Sequence, residues 1–138
     1  MLKTALTHPE ILKALGSAGH GAQIVIADSN FPFSTGANPA ATYVYLNFAP
    51  GLLNATDVLA VLAQVIPIEA AQAMVPDTGT PPIFPEFQAL LPGIELGRLS
   101  RFEFYDAARS ADTALVIATG EQRTYADIVL TIGVIQPE

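Results

Sequence analysis

Gln23-Ile24-Val25-Ile26-Ala27-Asp28 is the stretch on which the fold turns. Its apolar residues run without a polar alternation, and three of them are β-branched. Such a run suits a short strand buried on both faces, as in a sheet covered on each side. Asp28 closes the run, at the carboxyl end of the strand. A carboxylate there either reaches into a crevice or caps the following turn, and Ser29-Asn30 suits a turn equally well.

Upstream, His8-Pro9-Glu10 opens a helix through Ala18, with Pro9 in its first turn and Ile11, Leu12 and Leu15 on one face. Gly19-His20-Gly21 ends it. Downstream, residues 29–40 form a polar, Pro- and Gly-containing loop, and Thr42 to Leu46 reads as a second strand. Asn54-Ala55-Thr56-Asp57 precedes a helix that ends near Ile66, where Pro67 forces an exit. Ile68 to Met74 carries helix-forming residues but falls where a strand is wanted, and is read as strand. Pro76, Pro81, Pro82 and Pro85 make residues 76–85 irregular. A short helix over Phe84 to Leu91 and a strand over Ile94 to Leu99 follow. Ser100 caps a helix through Ser110, with Glu103 completing a capping box. Thr113 to Thr119 is a strongly apolar strand. Tyr125 to Ile135 reads as the last one, broken by Gly133.

Helices thus alternate with short buried strands. The pattern predicts a single α/β domain over residues 1–138, a three-layer sandwich around a mostly parallel sheet. Ligands in such folds gather in loops beyond the strand ends, where Asp28 and residues 119–127 fall.

The bulk composition limits the function classes. The chain of 138 residues has no cysteine, so thiolate catalysis, disulfides and Cys-based zinc sites are excluded. Its two histidines, His8 and His20, are too few for a His-rich metal site, and no metal or other cofactor is expected. Thirteen acidic residues against six basic ones give a net charge of −7. That charge disfavours nucleic acid and anionic membrane surfaces. Charged residues are 14% of the chain, against roughly 25% in ordinary soluble domains. So little charge on a small domain points to surface hidden in subunit contacts. No secretory signal or membrane-spanning stretch is visible, so a cytoplasmic location is expected.

A few residues stand out chemically. His20 lies between two glycines, which give a ligand room to approach its imidazole. A histidine can give and take a proton near neutral pH; it also commonly stabilises the last carbonyls of a helix. Arg101 precedes Phe102-Glu103-Phe104-Tyr105, and either binds substrate oxygens or pairs with a carboxylate. Tyr125 and Asp127 are two apart, so in an extended segment they face one side. Gly16, Gly19 and Gly21 are not a nucleotide-binding fingerprint, because the segment runs from helix to strand.

Ala18-Gly19-His20-Gly21, Ile24-Val25-Ile26-Ala27-Asp28 and Asn30-Phe31-Pro32 together resemble the N-terminal signature of the D-ribose pyranase/L-fucose mutarotase family. Arg101-Phe102-Glu103-Phe104-Tyr105, Thr119-Gly120-Glu121, Tyr125-Ala126-Asp127-Ile128 and Gly133-Val134 resemble its C-terminal block, and the likeness covers nearly the whole length. The Gly-His-Gly and Arg-Phe-x-Phe-Tyr runs are closer to the fucose mutarotase branch. The resemblance implies an isomerase that interconverts anomers or ring forms of a free monosaccharide, fucose-like or ribose-like, without a cofactor. It implies His20, Asp28 and Tyr125 as catalytic residues, and Asp28, Arg101, Tyr125 and Asp127 as substrate-binding ones. Asp127 stands where the family's Tyr-x-Asn motif has asparagine, and a carboxylate donates no hydrogen bond unless protonated. The resemblance also implies a homo-oligomeric ring, often a decamer, with sites between adjacent subunits. Residues 23–28 as a strand span about 20 Å, which would put His20 and Asp28 near opposite ends of it. A non-catalytic monosaccharide-binding or sugar transport-associated protein is the alternative reading.

Overall fold

The apolar run Ile24–Ala27 lies at the centre of one six-stranded sheet, and its side chains divide between two cores. In the computed structural model, which describes residues 1–137, it forms strand β1 (Gln23–Ala27). Ile24 and Ile26 point to one face of the sheet; Val25 and Ala27 point to the other. All four are fully buried, as a strand covered on both faces must be.

The remaining elements are α1 (Pro9–Ser17), β2 (Thr42–Leu46), α2 (Ala55–Leu62), β3 (Ile68–Met74), α3 (Ile83–Ala89), β4 (Gly97–Leu99), α4 (Arg101–Arg109), β5 (Thr113–Thr119) and β6 (Ile128–Ile132). Helices α1, α2 and α3 pack on the face of Ile24 and Ile26, through Ile11, Leu59, Leu62 and Phe87. Helix α4 covers the other face through Phe104 and Ala108, helped by Phe31 and Ala37 from the loop after β1. The expected three layers are therefore present. Among the described residues, no helix is long and apolar enough to cross a membrane.

The strand order is β2-β5-β1-β6-β3-β4. Strands β2, β5 and β1 run parallel, as do β3 and β4, while β6 is antiparallel to both of its neighbours. The sheet is thus mostly parallel, with one reversed strand inside it. Strands β5 and β6 flank β1, so residues 120–127, which join them, cross over the carboxyl end of β1. Gly120 lets the start of the crossing lie against the 49–52 loop: a Cβ there would collide with the carbonyl oxygens of Ala49 and Leu52.

Several local expectations need correction. The second helix stops at Leu62, before Ile66, and a turn carries the chain to Pro67. Helix α3 starts at Ile83, inside the proline-rich stretch; Pro85 sits in its first turn, where a missing N–H costs nothing. Only Gly97–Leu99 of the 94–99 segment is strand. The last strand covers Ile128–Ile132, so Tyr125 and Asp127 precede it. The capping box at α4 is as read: Glu103 N–H donates to the Ser100 hydroxyl, and Ser100 N–H donates to the Glu103 carboxylate.

Candidate active site

The carboxyl end of β1 is where the chain places buried acids. Asp28 is 3% exposed and Asp127 is 2% exposed. The Asp28 backbone N–H donates to Asp127 Oδ1 at 2.8 Å. In return, Asp28 Oδ2 accepts from the Ala126 N–H at 3.3 Å, and its Oδ1 accepts from the Asn30 N–H at 2.9 Å. The crossing segment is therefore pinned to the end of β1 by the acids themselves. Ser29 adds to this, its N–H and hydroxyl both donating to the Glu121 carbonyl.

These acids border a cavity of about 160 Å³ lined by Asp28, Asn30, Phe31, Met74, Arg101, Tyr105, Thr124, Tyr125 and Asp127. Four residues singled out in the sequence, Asp28, Arg101, Tyr125 and Asp127, are thus brought together across 99 positions of chain. The route differs from the one expected for Tyr125 and Asp127. They do not share a face of an extended strand; Tyr125 adopts a left-handed backbone, with φ 58°. The positive φ re-aims its side chain, a strain that a site can sustain where surrounding bonds fix the loop.

Sequence reasoning missed Asn30, Phe31, Met74, Tyr105 and Thr124 as pocket residues. Tyr105 carried a signal, because it lies one helical turn after Arg101 and so shares its face. The Arg101 guanidinium stacks over Phe102 and Tyr105, at 5.0 and 5.8 Å from the ring centres. Met74 ends β3, one strand beyond β6 from β1, where its N–H donates to the Asp127 carbonyl, and only the sheet order reveals that.

The electrostatics of the pocket are dominated by carboxyls. Burial, then the neighbouring Asp28 charge, pushes the Asp127 carboxyl well above its ordinary range. Glu121, 2% exposed, is the counter-case. Burial pushes it upward, but the hydrogen bonds and charge of Arg123 outweigh that and hold it below the ordinary 4.5. Arg123 donates to both Glu121 oxygens, at 3.0 and 3.1 Å, and also pairs with Glu86. Arg123→Ala leaves Glu121 buried without its cation. Because Arg123 is itself 38% exposed, the loss should be about 1–3 kcal/mol in urea denaturation at pH 7. The depressed value means that Glu121 stabilises the fold above its unfolded titration and ceases to as pH falls through the folded one. The variant should therefore lose part of the wild-type acid sensitivity.

His20 is not in this pocket. It lies at the amino end of β1, in an open depression lined also by Gly19, Gly21, Ala111 and Asp112. Its Nε2 faces both oxygens of Glu69 at 3.0 Å, which orients the ring and leaves Nδ1 unengaged. The ring is exposed, and Gly21, with φ 86°, leaves open space beside it. Five residues of strand separate His20 from Asp28, about 16 Å of β1. The two residues therefore line separate depressions at opposite ends of β1 in one subunit.

The model of the RbsD / FucU transport protein family matches residues 1–135. The chain is 34% identical to the fucose mutarotase of Homo sapiens, covering 95% of this chain and 91% of that protein. It is 33% identical to the D-ribose pyranase of Paracidovorax citrulli, covering 97% and 98% of the two chains. The structure of Bacillus subtilis RbsD complexed with D-ribose superposes with a TM-score of 0.82 at 29% identity, over 99% of this chain and all of that one.

Proposed function

We propose, from the premise that this chain belongs to the RbsD / FucU transport protein family, that it is a monosaccharide mutarotase. The observation that carries the reading is the cavity at the end of β1, where two acids, two phenols and a guanidinium converge. A free sugar presents hydroxyls that both donate and accept, and this set answers both. The relatives named above carry mutarotase and pyranase activities in their names, and one was solved with D-ribose.

Mutarotation removes a proton from the anomeric hydroxyl and delivers one to the ring oxygen. The bond between C1 and the ring oxygen breaks as the C1 carbonyl forms. The carbonyl then rotates, and the ring closes on its other face. In this assignment His20 is the principal acid and base, and Glu69 keeps its ring aligned. Asp28 and Tyr125 hold and polarise the sugar hydroxyls, while Arg101 and Asp127 set which sugar is accepted.

With His20 and Asp28 at opposite ends of β1, the complete site needs two subunits. A head-to-side homo-oligomer, closing as a ring such as a decamer, brings the His20 edge of one subunit to the pocket of the next. Tyr45, Phe48, Leu52 and Phe102 are more than half exposed, which supplies apolar surface for such contacts. The setting this reading implies is the cytoplasm, where one mutarotase-like domain acts on free sugar.

Saturation-transfer NMR on D-ribose, L-fucose and related sugars tests the proposal. Exchange between anomers above the buffer rate, for at least one sugar, is the expected result. Binding without faster exchange would instead favour a sugar-binding role in transport.

A further inference from the structure

We propose that Asp28 and Asp127 hold one proton between them, and that Asp127, as the neutral acid, offers a hydroxyl donor to a sugar oxygen. The donor role rests on the sugar pocket proposed above; the shared proton does not.

Geometry carries the inference. Both carboxyls are buried, both line the cavity, and the backbone of each segment bonds the acid of the other. Each carboxyl is thus held by the backbone of the other's segment, so the two acids share one small buried space.

The groups around the pair supply no neutralising contact. The crossing segment contributes Glu121, whose charge adds repulsion. Its partner Arg123 is engaged with Glu121 and Glu86. From α4 come Arg101 and Tyr105, the guanidinium stacked on aromatic rings. Tyr125 adds a second phenol, and β3 contributes only the apolar Met74. Among the described residues, no salt bridge involves Asp28 or Asp127. Two buried acids that share one cavity without a paired cation keep one proton.

The backbone decides where it sits. Asp28 accepts two N–H bonds and Asp127 one. Donors favour the charged form, so the hydroxyl settles on Asp127, the acid with fewer of them. Burial and the Asp28 charge, which push Asp127 upward, agree with this. As pH rises through the loss of that proton, the donor vanishes and a second charge enters the pocket. Sugar affinity should then fall.

Carboxyl-carbon NMR of the full chain with ¹³C-labelled aspartate reads the proton without any sugar. One carbon of the pair should keep its protonated-acid position where the other aspartates of the chain have already ionised, and move only at higher pH; Asp127→Asn should remove that transition. Titration with D-ribose and L-fucose should show wild-type affinity falling about tenfold across the same transition, with no such fall in Asp127→Asn. Both carboxyls ionising together with the other aspartates of the chain would overturn the shared proton. Affinity that ignores the transition would overturn the donor role. A wild-type chain that binds no sugar would overturn the donor role together with the proposed function, while the NMR titration still decides the proton.

Discussion

His20→Ala slows anomer exchange by about 10²–10⁴-fold, the contribution of one positioned acid and base. The fold should survive the change, because the His20–Glu69 pair is substantially exposed and such pairs add little stability. Saturation-transfer NMR measures the rate directly, and wild-type rates in the variant would remove His20 from the mechanism. A mixing experiment then asks where the imidazole acts. Asp28→Asn should also be inactive. If each site joins His20 of one subunit to Asp28 of the next, randomly mixed assemblies of the two variants regain about a quarter of the wild-type sites. No recovery after verified mixing would mean that the two groups serve the same subunit or different processes.

Phe104→Ala should cost about 3–5 kcal/mol, a large part of the stability of a domain this size. Phe104 is fully buried on the α4 face of the sheet, and its ring meets Phe31 edge-on, with centroids 6.0 Å apart. Phe31 in turn lines the pocket. The alanine variant therefore opens a void directly beneath the site, and should bind sugar more weakly as well as unfold at lower urea. Phe104→Leu keeps most of the volume and should lose far less. A cost below about 1 kcal/mol for the alanine variant would show that α4 settles into the gap.

The parts of this fold that could be read from sequence are those fixed by local chemistry. The unbroken apolar run of β1 demanded cover on both faces, and it has two cores. Ser100 and Glu103 marked the start of α4 because a capping box is complete within four residues. Strand length alone implied that His20 and Asp28 lie apart. The direction of β6 left no such mark: Ile128-Val129-Leu130 is buried on both sides whichever way it runs, so its sequence is silent on orientation. The left-handed turn at Tyr125 was hidden for a different reason. Tyrosine has no preference for that backbone, and long-range bonds to Asp28 and Ser29 hold the segment in place. Pro85 did not hide α3, which was read over Phe84 to Leu91, because proline breaks a helix only beyond its first turn.

The bridge over the end of β1 ties the pocket to distant pairing. Strand β6 meets β1 across some hundred positions of chain, and contacts that distant are costly in chain entropy to close. Without that pairing the two acids are strangers and no binding site exists. A sugar that selects the pocket would consequently stabilise only the finished molecule, protecting β6 from hydrogen exchange as strongly as it protects β1.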